Sequence, residues 1–171
     1  MEHISLKYDE FFLSIAEPII EHEKYQQMKQ IPHHNGTVFD HCLGVAYYAY
    51  KIAYKLNLDT VSIIRGALLH DFYLYKFKKR EKKNLLAESI RHSHHHPKVA
   101  LKNAKTHFEI NELEEDIIKN HMFPVGLPKS REAWITTFAD KTLALFEYST
   151  RFFFYMRVKS IRFAYITNIL G

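Results

Sequence analysis

Six nitrogen and oxygen donors punctuate the middle of this chain: His41, the adjacent pair His70-Asp71, His96, His121 and Asp140. No thiolate stands among them, so the set suits hard or intermediate divalent ions such as iron, manganese, magnesium or zinc. Taken singly, a histidine on an apolar helix face is more often a satisfied core residue than a ligand. The combination alters that balance. The histidines lie near the ends of several helix-like segments, and Asp71 and Asp140 fall at or within apolar helical patterns. A carboxylate there is costly to desolvate unless a cation or a donor meets it. A metal would remove the conflict at all six positions together.

The elements that must carry these residues are helical. Five glycines and five prolines are few for 171 residues and favour long helices over many short strands. An amphipathic helix is expected from about Leu6 to Gln30, around Phe11, Phe12, Ile15, Ile19 and Ile20. Pro32-His33-His34-Asn35-Gly36 breaks it, and Thr37 with Asp40 resembles a capping box opening a helix from about Val38 to Leu56. His41 falls on that helix's apolar face with Val45, Tyr48, Ala49, Ile52 and Leu56. After a turn at Asn57 and Asp59, a short helix from Thr60 delivers His70-Asp71 at its C-terminal end. Lys76 to Lys83 reads as an exposed basic loop, and Leu85 to Ile90 as a helical turn or two. His96-Pro97 opens a further helix, because proline suits the first helical position. It continues through Val99 to Phe108 and is followed by a helix from Asn111 to His121. Ser130 or a neighbour caps a long final pattern from Arg131, with a break near Ser149-Thr150. The expectation is six or more helices, with no segment that reads clearly as a strand.

Composition bounds the rest. Hydrophobic residues make up 47% and aromatics 15%, which describes a globular chain and excludes a disordered one. The length suits one domain, residues 1–171, with a core from about 33 to 147. A single cysteine, Cys42, excludes an intramolecular disulfide and a thiolate zinc cage, and it reads as core packing. Without a leader-like start or a run of about 20 apolar residues, the expected location is the cytoplasm. The formal charge of +5 suits a polyanionic ligand, although a modest positive charge also serves solubility alone.

The order His41, His70-Asp71, His96, His121, Asp140 resembles the HD-domain superfamily of metal-dependent phosphohydrolases, over most of the chain from His33 to Glu147. The likeness is strongest to small single-domain bacterial HD proteins. It is carried by Arg65-Gly66-Ala67-Leu68-Leu69-His70-Asp71-Phe72, by the His96-Pro97 helix start, by Asn120-His121-Met122 and by Asp140-Lys141. The resemblance implies an all-α helical bundle with a metal site between its central helices. It implies that His41, His70, Asp71 and Asp140 hold one ion and that His96 and His121 join them in binuclear members. Asp71 would then bridge the two ions and act as the catalytic carboxylate. Two divalent ions are implied, iron or manganese first, with magnesium, zinc, nickel and cobalt admissible, or one ion if the site is mononuclear. Lys76, Phe77 and His95 depart from the relatives' pattern, which has an acidic residue, a tryptophan and often an arginine there.

The implied activity is hydrolysis of a phosphomonoester or phosphodiester, on a nucleotide or a related phosphorylated small molecule, by a metal-activated water. The same ligands also serve mixed-valent diiron oxygenases of this fold, and a non-catalytic nucleotide-sensing module is the third reading. Candidate substrate contacts are His33, His34, Arg65, His95 and Lys141. Each has a plainer alternative as a solvated loop residue or an ion-pair partner, and Lys141 is expected to turn about a third of a turn away from Asp140. His94 is the alternative to His96 as ligand. The basic aromatic segment from Arg151 to Leu170 is expected to pack as a helix on the core or on a second subunit of a homodimer, in preference to a membrane surface or nucleic acid. No specific nucleic-acid partner and no membrane span are expected.

Overall fold

The computed structural model of the chain describes residues 9–33, 36–75 and 85–149, and its architecture is all-α. The expected basic loop from Lys76 and the segment from Arg151 onward lie outside the described residues, as does His34. The elements in order are α1 (Glu10–Ile20), α2 (Glu23–Gln26), a 3-10 turn (Gln27–Gln30), β1 (Pro32–His33), β2 (Gly36–Thr37), α3 (Val38–Lys55), α4 (Thr60–Leu69), α5 (Leu85–His107) and α6 (Glu112–Asn120). The last helix among the described residues, α7, spans residues 131–149. No helix among the described residues is long and apolar enough to cross a membrane.

Two expectations are corrected, and the described residues add one short strand pair to the helices. The first helix is not continuous: Pro18 has no N–H to give the preceding turn, and α1 ends two residues later. His22 then starts α2 by accepting from the Lys24 N–H through its own Nδ1. A strand pair is present, since Pro32 pairs with Thr37 and His33 with Gly36 in antiparallel register. Finally, His96-Pro97 does not open a helix. α5 begins at Leu85 and carries Pro97 in its interior.

α4 is the centre of the bundle. Ile63, Ile64, Ala67, Leu68 and Leu69 are all fully buried, and the helix packs against α1, α3 and α6. Asp59 caps its start by accepting from the Ser62 N–H, and Asn57 adopts the left-handed backbone (φ 51°) that asparagine tolerates in the turn before it. The start of α3 is held by a full capping box: the Asp40 N–H donates to the Thr37 hydroxyl, and the Thr37 N–H donates to the Asp40 carboxylate. The face of α3 that packs inward runs through Cys42, Val45, Ala46, Ala49 and Ala53, whereas Tyr48 and Leu56 of the expected stripe are exposed. Small residues on that face let α3 and α4 approach closely.

α6 is seated on α4 in the same way. A Cβ on Gly66 would lie 2.9–3.0 Å from Ile117, so only glycine allows this approach. Asn111 caps α6 and also donates to the Ser62 hydroxyl at 2.9 Å, which ties the starts of the two helices together. Arg65 reaches across the same contact to Glu114 (2.5 Å) and to the Glu109 carbonyl (2.7 Å).

One carboxylate fixes the last helix to α6. Asp116 accepts from the Ser130 hydroxyl (2.6 Å), the Ser130 N–H (2.8 Å), the Lys129 N–H (3.1 Å) and the Asn120 amide (2.7 Å). Ser130 in turn accepts from the Ala133 N–H in the first turn of α7, the capping role expected for it. Burial works against ionisation of Asp116, but these donors prevail and hold its pKa below the usual carboxylate range. A depressed folded-state pKa gives stability that is complete above the unfolded-state value and is lost as pH falls through the folded-state one. Asp116→Ala is therefore expected to lower stability at pH 7 by about 1–2 kcal/mol. The gap between variant and wild type in chemical denaturation should close as pH drops below about 4. Equal stability at pH 7 would contradict this role.

Candidate metal centre

The six donor residues expected to act together meet where helix ends face the middles of two other helices. His70 caps the C-terminus of α4, and Asp71 follows it. His121 occupies the same position on α6. His41 lies in the first turn of α3, His96 in mid-α5 and Asp140 in mid-α7. All six are buried, the most exposed being Asp140 at 7%.

The backbone sets the orientation of three imidazoles. The last carbonyls of a helix have no intrahelical donor, and at the end of α4 the Ala67 carbonyl accepts from His70 Nδ1 at 2.7 Å. The Leu68 carbonyl accepts from the Tyr25 hydroxyl at 2.8 Å, and the Leu69 carbonyl from the Phe72 N–H. At the end of α6, His121 Nδ1 donates to the Ile118 carbonyl at 2.9 Å. His96 Nδ1 donates to the His92 carbonyl at 2.8 Å, beside the turn that Pro97 disrupts. A carbonyl can only accept, so each Nδ1 carries a proton and each Nε2 is the atom left to face the cluster, with a lone pair wherever the ring is neutral.

Those Nε2 atoms converge on Asp71. Its Oδ1 lies 3.2 Å from His96 Nε2 and 3.5 Å from His121 Nε2, while Oδ2 lies 3.9 Å from His70 Nε2. His96 Nε2 and His121 Nε2 are only 2.9 Å apart. On the far side, Asp140 Oδ1 is 3.1 Å from His41 Nε2 and 4.0 Å from His70 Nε2. His70 Nε2 and Asp71 Oδ1 are buried and have no hydrogen-bond partner among the described residues. Acceptors facing acceptors repel unless a cation or a proton lies between them. Two donors each about 2.1 Å from one ion stand roughly 3–3.5 Å apart, so these spacings fit metal coordination. His41, His70 and Asp140 form one compact trio of donors, and His70, Asp71 and His121 another.

Charge in the cluster follows from the same contacts. Burial pulls the His70 pKa down to about 4, so its ring stays neutral. Burial also disfavours a charged His41, but hydrogen bonds to Asp140 and Glu147 outweigh it and raise the pKa to about 10. For Asp71 and Asp140, burial pushes upward, yet the surrounding histidines hold both below the ordinary carboxylate range. Protons thus neutralise the carboxylates where a cation does not, and a cation that bound here would displace them.

The secondary candidates separate. His33 stacks obliquely on His41, with ring centroids 4.5 Å apart, and its donor lies close to those of His41 and Asp71. Lys141, expected to turn away, instead reaches back to Asp140 Oδ2 (2.9 Å) and Met122 Sδ (3.2 Å). Its flexible stem spans the third of a turn that separates the two residues. Arg65 is committed to Glu114 and the Glu109 carbonyl, the ion-pair alternative weighed for it. His95 is exposed near Tyr75, and His94 is also exposed. Cys42 is fully buried. Glu147 was not singled out from the sequence, although it accepts from His41 Nδ1 at 3.5 Å. Its position seven residues after Asp140 puts both on one face of α7, a spacing that was available to find it. Such a carboxylate behind a histidine fixes the tautomer of a metal ligand.

The HD-domain family model matches residues 38–145, which contain all six donors. No curated protein and no solved structure matches the chain. If the convergent donors hold a cation, manganese added to chelator-treated protein at a hundred times its Kd should contribute about 2.7 kcal/mol. This corresponds to a rise in Tm of about 5–10 °C. His70→Ala should lose that rise while keeping its helical circular dichroism. An unchanged wild-type Tm with manganese or iron would contradict the assignment.

Proposed function

Because the chain belongs to the HD-domain family, a metal-dependent hydrolase-type fold, we propose that it is a phosphohydrolase acting on a phosphorylated small molecule, with nucleotides as the first class to test. The supporting observation is the split of Asp71: one carboxylate oxygen faces His96 and His121, and the other faces His70. That division suits a carboxylate bridging two cations, one held with His41, His70 and Asp140 and the other with His96 and His121. Divalent ions bound there would supply a water of lowered pKa and neutralise phosphoryl oxygens. Iron or manganese suits the nitrogen and oxygen set best.

The residues of the chain have distinct tasks in this reading. Asp71 is the catalytic carboxylate, and the carbonyl-anchored histidines keep its surroundings rigid. Glu147 positions His41. Lys141 and His33 stand beside the ligands, where a cationic group and an imidazole can meet a phosphate. Water adds to phosphorus, the P–O bond to the ester breaks, and the products are the alcohol and a phosphate carrying the added oxygen. A soluble chain acting in the cytoplasm as one domain, alone or as a homodimer, fits this reading.

The test is a phosphate-release screen over nucleotides and simple esters, with protein reconstituted with iron or manganese. Release should depend on metal and fall at least a hundredfold in Asp71→Ala, beyond the roughly 10–100-fold typical of residues behind the ligands. Unchanged hydrolysis in that variant would defeat the site. Iron binding with oxygen consumption and no hydrolysis would replace the reading by an oxygenase, and absence of bound metal would leave a sensing module.

A further inference from the structure

A second feature adjoins the cluster on the side of α5 and α6. A cavity of about 150 Å³ opens there, lined by His94, Lys98, Lys119, Asn120 and Met122 among others, with no carboxylate in its lining. Its walls are chain neighbours of two converging histidines: Pro97 follows His96, while Asn120 and Met122 flank His121. Met122 also touches Lys141, whose ammonium reaches Asp140, so the cavity and the cluster share a rim.

The charge in this cavity is uncompensated. Neither Lys98 nor Lys119 forms an ion pair among the described residues. Glu115, one helical turn before Lys119, is taken by Lys105 instead. Around Lys98 the sequence has no acidic residue between Glu88 and Glu109. Both lysines are exposed, and two lysines lining one concavity without an acidic partner favour an anion beside them. The neighbouring cavity of about 540 Å³ shares Lys119 and Asn120 but is lined also by Glu112, Glu115 and Asp116, which would oppose an anion. Pockets for whole small-molecule ligands start near 300 Å³, so a space of about half that suits one anionic group of a larger ligand.

We propose that this cavity is an anion subsite that takes a second, non-reacting phosphate group, so that substrates with two separate phosphates are preferred over those with one. The identity of the ligand as substrate rests on the hydrolase reading above; the binding of an anion does not.

Two measurements test it. Full-length protein reconstituted with manganese is assayed on adenosine 3′,5′-bisphosphate and adenosine 5′-monophosphate, as wild type and as Lys98→Ala/Lys119→Ala. Metal-free samples of both are titrated with inorganic phosphate and followed by amide NMR. The double variant should raise KM for the bisphosphate about tenfold or more, with kcat and the monophosphate KM little changed. Phosphate should shift amides within 93–98 and 119–126 of the wild type and not of the variant. An unchanged bisphosphate KM, or phosphate shifts that persist in the variant, would overturn the proposal. If wild type hydrolyses neither nucleotide, the hydrolase reading loses support. In that case lysine-dependent phosphate shifts still support the anion subsite, and their absence overturns it.

Discussion

Three imidazoles donate from Nδ1 to backbone carbonyls and thereby turn three Nε2 atoms toward one buried carboxylate. This constraint organises the bundle around Asp71. Two of the carbonyls are those that helices α4 and α6 leave unpaired at their ends, and the third lies beside the proline turn of α5. The positions of the ligands are thus consequences of where helices stop or are disturbed. A side chain anchored in this way cannot rotate to relieve the 2.9 Å approach of His96 to His121 without giving up its own hydrogen bond. The geometry brings together groups whose electrostatic conflict a divalent ion bound there would resolve.

The remaining packing serves to hold those helix ends together. Gly66 allows α6 to lie against α4, which sets His121 beside His70. Tyr25 carries the α2 segment onto the last turn of α4, and Asn103 of α5 donates to the Phe72 carbonyl just past Asp71. Asp116 links the end of α6 to the start of α7, and so relates His121 to Asp140 through a short chain of hydrogen bonds. Two neutralising schemes then compete for the same buried space. Protons occupy it in the absence of a cation, and a cation bound there would release them. Affinity, folding stability and acidity are coupled in such a centre.

Much of this was legible in the sequence, for identifiable reasons. Capping residues are local signals, so Thr37-Asp40 and Ser130 located the starts of α3 and α7, while the turn at Asn57 and Asp59 and the pattern from Asn111 located those of α4 and α6. The cluster of donors was legible because charged and imidazole groups at the ends of, or within, apolar helices need a reason to be there. What failed to show depended on context beyond the local pattern. Pro97 is tolerated inside α5 although proline favours a helix start, and Pro18 lies close to an end that periodicity alone carried too far. The inward face of α3 follows small residues, not the larger Tyr48 and Leu56, because close helix approach is set by the partner's surface. Lys141 reaches back to Asp140 because a long stem overrides the direction of its Cα–Cβ bond. Arg65 could have met a phosphate or a carboxylate, and only the fold brings Glu114 to it.

The central claim is that Asp71 bridges cations held by the histidines around it. Its most direct test is elemental analysis of protein reconstituted with iron or manganese and freed of excess metal, for the wild type and for His121→Ala. The account predicts about two ions per chain in the wild type and about one in the variant, as expected for paired sites sharing one carboxylate. A wild type that retains no metal, or an identical content in both proteins, would contradict it.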